Sequence, residues 1–163
     1  MNRLTVSLLA ASLTLAAPAF AEDAMLIQVK RMSLETAVAI AQATVAACRE
    51  QGIQVGVTVV DRDGIPQAVM RDTIAPTITL PISEGKAYAA VMFNVPTSEL
   101  ASRADTPIGR VPGLVMSAGG LPIQVGGSLV GGVGVSGAPS GETDQACAAA
   151  GVEAVQTDLE MAM

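Results

Sequence analysis

The chain has 163 residues, half of them hydrophobic, with one Tyr, two Phe, no Trp, two Cys and a formal net charge of −6. It contains no histidine, which removes His-based acid–base catalysis, Ser-His-Asp and Cys-His pairs, most zinc sites and His-ligated haem together. An acidic chain with no basic cluster is also a poor partner for nucleic acid or anionic lipid.

Met1 to Ala21 reads as a secretory signal peptide. Arg3 gives a short positive start, and Leu4 to Ala17 is an uncharged apolar run too short to span a bilayer comfortably. Ala19-Phe20-Ala21 is a small-x-small cleavage site followed at once by Glu22-Asp23. The alternative is an uncleaved membrane anchor, against which the shortness of the run argues. Cleavage after Ala21 leaves a 22–163 chain, one domain with room for a real core, periplasmic or secreted and free of the membrane. It loses one basic residue and no acidic one. With so few aromatics, the core has to be built from Ala, Val, Ile, Leu and Met, packed closely by glycine.

Met25 to Met32 predicts a short lead-in strand or extended arm. Ser33 is a good N-cap with Glu35 in the first turn, and the helix it opens runs to about Gln51, stopped by Gly52. Leu34, Val38, Ala41, Val45 and Cys48 form its buried stripe. Val55 to Asp61 predicts a strand, with Asp63-Gly64 as a two-residue hairpin turn leading into a partner from Ile65 to about Arg71. Asp72 to Leu80 is a loop. Pro81 opens a helix to about Asn94, in which Ile82, Lys86, Ala89, Ala90 and Phe93 share a face, so that a lysine interrupts an apolar stripe. Thr97 or Ser98 caps another short helix to about Arg103, and Asp105 to Pro112 is a polar loop.

Gly113 to Ala118 predicts a strand and Gly119-Gly120 a turn. Pro122–Val125 and Leu129–Ser136 pair around Gly126-Gly127. A last helix covers about Thr143 to Glu160, with Cys147, Ala150, Gly151, Ala154 and Val155 as its small-residue face. Interspersed hairpins and helices argue for an α+β single domain with an antiparallel sheet of about five strands and helices packed on it.

The candidate chemistry is sparse. Gly132-Val133-Gly134-Val135-Ser136-Gly137 matches GxGxxG, but it lies inside a valine-rich strand with no parallel crossover. Its glycines therefore read as sites of close approach by a helix, a ligand or another subunit. Cys48 and Cys147 are either two buried free thiols or one disulfide tying the first helix to the last; inward placement and an oxidising compartment favour the disulfide. Lys86 is a candidate for neutralising an anionic ligand, or a lysine that snorkels to the surface. Arg71 and Asp72 either clamp a carboxylate or pair with each other. Tyr88 is a ligand or a core residue with a hydrogen-bonded hydroxyl. Asp61, Asp63 and Asp144 lack metal-ligand spacing; turns and helix capping account for them. No catalytic constellation and no metal site emerges.

Several stretches together resemble the GlcG/HbpS-type haem-binding family, related to the C-terminal domain of PduO-type proteins. They are VTVVDRDG (57–64), MRD (70–72), GKAYAA (85–90), VPTSEL (95–100), AGGLPIQVGGSLVGGVGVSGAP (118–139) and DQACAAAG (144–151). The resemblance implies a profilin-like domain, homo-oligomeric assembly, and haem as the default small-molecule ligand; one branch serves as an extracellular redox and haem sensor. Exported relatives are similar in carrying a cysteine late in the first helix, which supports the Cys48–Cys147 pairing. Many relatives read Gly-Pro-His-Thr before the middle helix, where this chain has Ala75-Pro76-Thr77-Ile78, so the histidine position falls on Thr77. Haem would therefore bind without a histidine ligand, using Lys86, Tyr88, a methionine or no strong protein ligand. Lys86, Tyr88, Arg71 and Thr77 are thus the candidate ligand-binding residues, in a pocket expected between the middle helix and the sheet. The competing expectations are an accessory protein or enzyme acting on a small organic acid, held by Arg71 and Lys86, and a ligand-free structural partner.

Overall fold

The structure is a computed structural model and describes residues 25–163; the leader read over Met1–Ala21 lies outside them. Ser33 caps α1 (Leu34–Glu50) as its sequence demands: its hydroxyl accepts from the Thr36 N–H at 3.2 Å, and Gly52, at φ +72°, ends the helix. The buried face centres on Ala37, Ile40, Ala41, Thr44, Val45 and Cys48, while Leu34 is exposed. That rotation from the expected stripe follows from α1 packing on both the sheet and the last helix.

β1 (Gly56–Asp61) and β2 (Pro66–Arg71) form a hairpin, with four residues between the strands in place of the two-residue turn expected. Asp61 N–H donates to the Ile65 carbonyl at 2.9 Å, Gly64 N–H to the Asp61 carbonyl at 3.0 Å, and Gly64 sits at φ +83°. The Asp61 carboxylate also accepts from the Asp63 and Ile65 N–H groups at 2.9 and 3.0 Å, so a side chain completes the turn.

α2 (Thr79–Phe93) starts two residues before Pro81 and ends at Asn94 in the left-handed region. A 3₁₀ segment (Thr97–Arg103) and a second (Pro107–Arg110) follow. β3 (Gly120–Val125) and β4 (Ser128–Ser136) then form a hairpin around Gly126 and Gly127, both at positive φ as a two-residue turn of this kind needs. α3 (Gly141–Met161) is capped by the Ser140 hydroxyl, which accepts from the Thr143 N–H.

Among the described residues the sheet has four strands, order β2-β1-β4-β3, antiparallel throughout. The fifth strand expected at Gly113–Ala118 does not form. Instead the Val115 N–H donates to the Gly85 carbonyl inside α2 at 3.2 Å, and Met116 is buried with Ala89 and Leu100. The segment's apolar residues are spent on covering α2. Nor is Met25–Met32 a strand: it is an exposed arm with Met32 alone buried.

Three layers result. Val57, Val59, Val133 and Val135 face α1 and α3, while Val60 meets Ala87 and Val91 of α2 on the other side. The glycines of β4 are the reason α2 can sit so close. A Cβ at Gly134 would overlap the Ser83 carbonyl oxygen and the Ala87 nitrogen, and one at Gly132 would lie 2.6 Å from a Val91 methyl. The GxGxxG string is thus a packing surface for helix backbone. On the opposite side Cys48 and Cys147, fully buried and 99 residues apart, are joined in a disulfide with Cα atoms 5.5 Å apart. Closing a loop of that length stabilises the fold by about 4–5 kcal/mol in the chain-entropy model.

Candidate functional site

The most buried charge near the expected pocket is already partnered. Lys86 Nζ donates to Asp144 Oδ2 at 2.8 Å and to the Val135 carbonyl at 2.9 Å, and the other Asp144 oxygen accepts from the Ala138 N–H at 2.9 Å. Both residues are only 4% exposed. Burial pushes the Asp144 carboxyl above its usual range, opposed by the Lys86 ammonium and the Ala138 N–H. At the same helix end the Glu142 carboxyl is lowered, by its own backbone N–H first and the Ser140 hydroxyl second. Lys86 neither snorkels nor faces a cavity. Its ammonium is taken up by Asp144, a partner 58 residues away whose carboxylate also accepts from the Ala138 N–H.

The other expected ligand residues do not gather around it. Tyr88 is half-buried with its ring against Gly64, near the Met92 methyl. Arg71 donates from one guanidinium nitrogen to the carbonyls of Asp72, Thr73 and Ala75, and so holds the loop after β2. It makes no ion pair with the Asp72 carboxylate. That carboxylate takes a bidentate contact from Arg49 at 2.7 and 2.8 Å, which holds its pKa down to about 2. Thr77 is exposed on the same loop. No hydrogen bond or ion pair joins any two of Lys86, Tyr88, Arg71 and Thr77 among the described residues. The space expected between α2 and the sheet is filled by backbone contact.

A groove does exist, on the other side of the sheet's edge. Its floor is Pro96, Leu121, Pro122, Ala149 and Val152, and its volume is about 520 Å³. β3 is an edge strand, paired only with β4 among the described residues, and Pro122 within it has no N–H to offer a further strand. α3 runs alongside with small Ala149 facing the gap, and the turn after α2 closes one end with Asn94 and Pro96. The rim is polar. Gln124 donates to Asn94 at 2.7 Å, Gln156 to Glu160 at 2.7 Å, and Glu153 is the groove's one ionisable side chain. A smaller depression of about 270 Å³ continues it past Leu121 and Ala149 to Glu142 and Gln145, where the Gln145 carbonyl oxygen is buried without a partner.

The groove suits the flat apolar body of a ring and does not suit a metal at its centre. No Lys, Tyr, Met or Cys lines it, and the chain has no His. No cluster of three metal-ligating side chains occurs among the described residues. The sequence reading does not point to this groove. Pro122 inside a strand was the available signal for an edge, and the alanine run at 148–150 for a close helix; neither says that the two meet.

The described residues thus form a small α+β domain with a closed core and an apolar groove at a sheet edge. The chain belongs to the HbpS-like family: the family model described as "Haem degrading protein HbpS-like" matches residues 32–153. A crystal structure of a Streptomyces reticuli HbpS double mutant is similar at 39% identity with TM-score 0.76, covering 85% of this chain and 96% of that one. Klebsiella pneumoniae protein ORFY is similar at 26% identity and TM-score 0.76, covering 82% and 97%. A PduOC:Heme complex shares the fold at 24% identity and TM-score 0.71, covering 77% and 95%. No curated protein matches the chain.

Proposed function

We propose that this chain is an exported, homo-oligomeric small-molecule-binding protein whose ligand, of the haem and tetrapyrrole class, lies in the groove between β3 and α3. The apolar groove of about 520 Å³ carries the reading, since small-molecule sites run from roughly 300 to 1,000 Å³. Family membership supports the ligand class. Export is supported by the Cys48–Cys147 disulfide, because such bonds are rare in reducing compartments. No helix among the described residues is long and apolar enough to cross a membrane. The exported protein is expected to begin at Glu22, which N-terminal mass spectrometry reads directly. Assembly is supported by Ile65 and Val69 on the second sheet edge and Met92 on α2, apolar side chains left 61%, 52% and 42% exposed.

The small-acid reading loses its cations, since Lys86 is paired with Asp144 and Arg71 holds backbone carbonyls. A haemin titration followed by absorbance, with size-exclusion chromatography alongside, tests the proposal. Saturable binding that co-elutes with an oligomer is expected. No saturable change would refute the tetrapyrrole reading, and elution as a monomer would refute assembly.

A further inference from the structure

The groove's lining conflicts with a metal-held haem, since no His, Cys, Met or Tyr lines it, and the conflict points to a narrower ligand chemistry. Haem in proteins is ordinarily anchored by an axial His, Cys, Met or Tyr, with the rest of the pocket tuning it. This chain has no His, and its two cysteines are consumed in a disulfide. Its single Tyr packs on the β1–β2 turn. Of its two described lysines, Lys86 is buried against Asp144, and Lys30 reaches the Met163 carbonyl at 3.4 Å. What the groove presents is aliphatic: Leu121, Pro122, Val152 and Ala149, with amides above them.

The electrostatics agree with the inventory. Glu153 is negative, no cation lines the groove, and the chain as a whole is acidic. Carboxylate tails on a ring gain nothing by entering and are better left in water.

We infer that this groove selects the ring and not the metal. Its ligand is a tetrapyrrole held by its apolar faces, with no side-chain bond to iron, so that the metal-free porphyrin binds as tightly as haem or more so. The inference rests on the site reading above, and the test separates the two.

Purified protein is titrated with haemin and, in parallel, with metal-free protoporphyrin. Both are followed by ligand absorbance, since the chain has no Trp to report. The same titrations are run on Ala149→Glu, an exposed helical position where folding tolerates the change, and on Val152→Gln, with circular dichroism as the folding check. The expected result is a metal-free affinity within about 3-fold of haemin or tighter, and a loss of about 10-fold or more for both ligands in the folded variants. Haemin binding at least about 10-fold tighter than the metal-free ring would overturn the inference; if the variants still abolished it, the groove would stand as the site. Failure of both ligands to bind, or binding indifferent to both variants, would overturn the site along with the inference.

Discussion

Lys86 Nζ lies 2.8 Å from Asp144 Oδ2 with each side chain 5% exposed, and the pair ties α2 to the first turn of α3 across the end of β4. The position looks on paper like a ligand contact, a lysine on an apolar helix. In three dimensions it is a closed electrostatic clamp. Burying two charges is repaid only while both are present, so the pair's value appears mainly when one partner is removed.

Lys86→Met is therefore expected to cost about 3–5 kcal/mol by leaving Asp144 buried and unpaired. Adding Asp144→Asn, which keeps an acceptor for the Ala138 N–H while removing the charge, should recover a large part of that loss. Urea unfolding of the two variants reads this. A single variant within about 1 kcal/mol of the parent would show that the clamp is solvated, contrary to its burial.

Glycines in the β3–β4 hairpin act in two different ways, and alanine separates them. Gly134→Ala forces a methyl into the Ser83 carbonyl and the Ala87 nitrogen, backbone atoms that cannot swing aside. A loss of about 3 kcal/mol or more is expected, at or beyond the usual cost of overpacking. Gly127→Ala meets nothing within 4 Å and pays only for its φ of +78°, about 1 kcal/mol. Equal melting temperatures for the two variants would contradict the backbone-on-backbone packing of α2.

Asp72 sets the sign of one acid response. Arg49 holds its carboxyl down to about 2 in the folded protein, against 3.8 as its reference value. Between those values the unfolded chain binds a proton that the folded chain does not. The pair's contribution is complete above about pH 4 and is lost as the pH falls toward 2. Arg49 is 60% exposed, so solvent screening keeps the effect modest. Asp72→Asn should flatten this acid limb of the stability curve relative to the parent. Asp144, raised by burial, works with the opposite sign, and the comparison of parent with variant cancels it. An unchanged slope in Asp72→Asn would disprove the coupling.

Glu153 faces the groove with no cation beside it. Glu153→Gln is expected to tighten binding of a porphyrin that carries carboxylates by about 2- to 5-fold at low salt, with the gain shrinking as salt is added. Weaker binding in the variant would mean that Glu153 contacts the ligand as an acceptor.

The local signals of this chain were strong where chemistry acts over a few residues. Ser33 capping α1, Gly52 ending it and the Gly126-Gly127 turn were all readable, because each needs only its neighbours. Gly113–Ala118 reads as a strand because its apolar residues suit a strand and a helix-covering segment equally. α2 concealed its orientation, being buried on most sides between β4 and the Val115 segment, so no one-sided stripe marks its contacts. The site was harder still. Lys86 and Asp144 are 58 positions apart, Arg49 and Asp72 are 23 apart, and Pro122 and Ala149 line one groove only once the β3 edge and α3 are in place. Arg71 stands next to Asp72 in sequence, yet the bidentate partner comes from another helix.

The claim on which the rest depends is the location of the ligand. Amide chemical-shift mapping of isotopically labelled protein, titrated with metal-free protoporphyrin, tests it most directly. Perturbations are expected to concentrate at Leu121, Gln124, Ala149, Val152 and Gln156, with the amides of Arg71, Thr77 and Tyr88 unmoved. Perturbations centred on Arg71, Thr77 and Tyr88, with the β3–α3 groove silent, would contradict it.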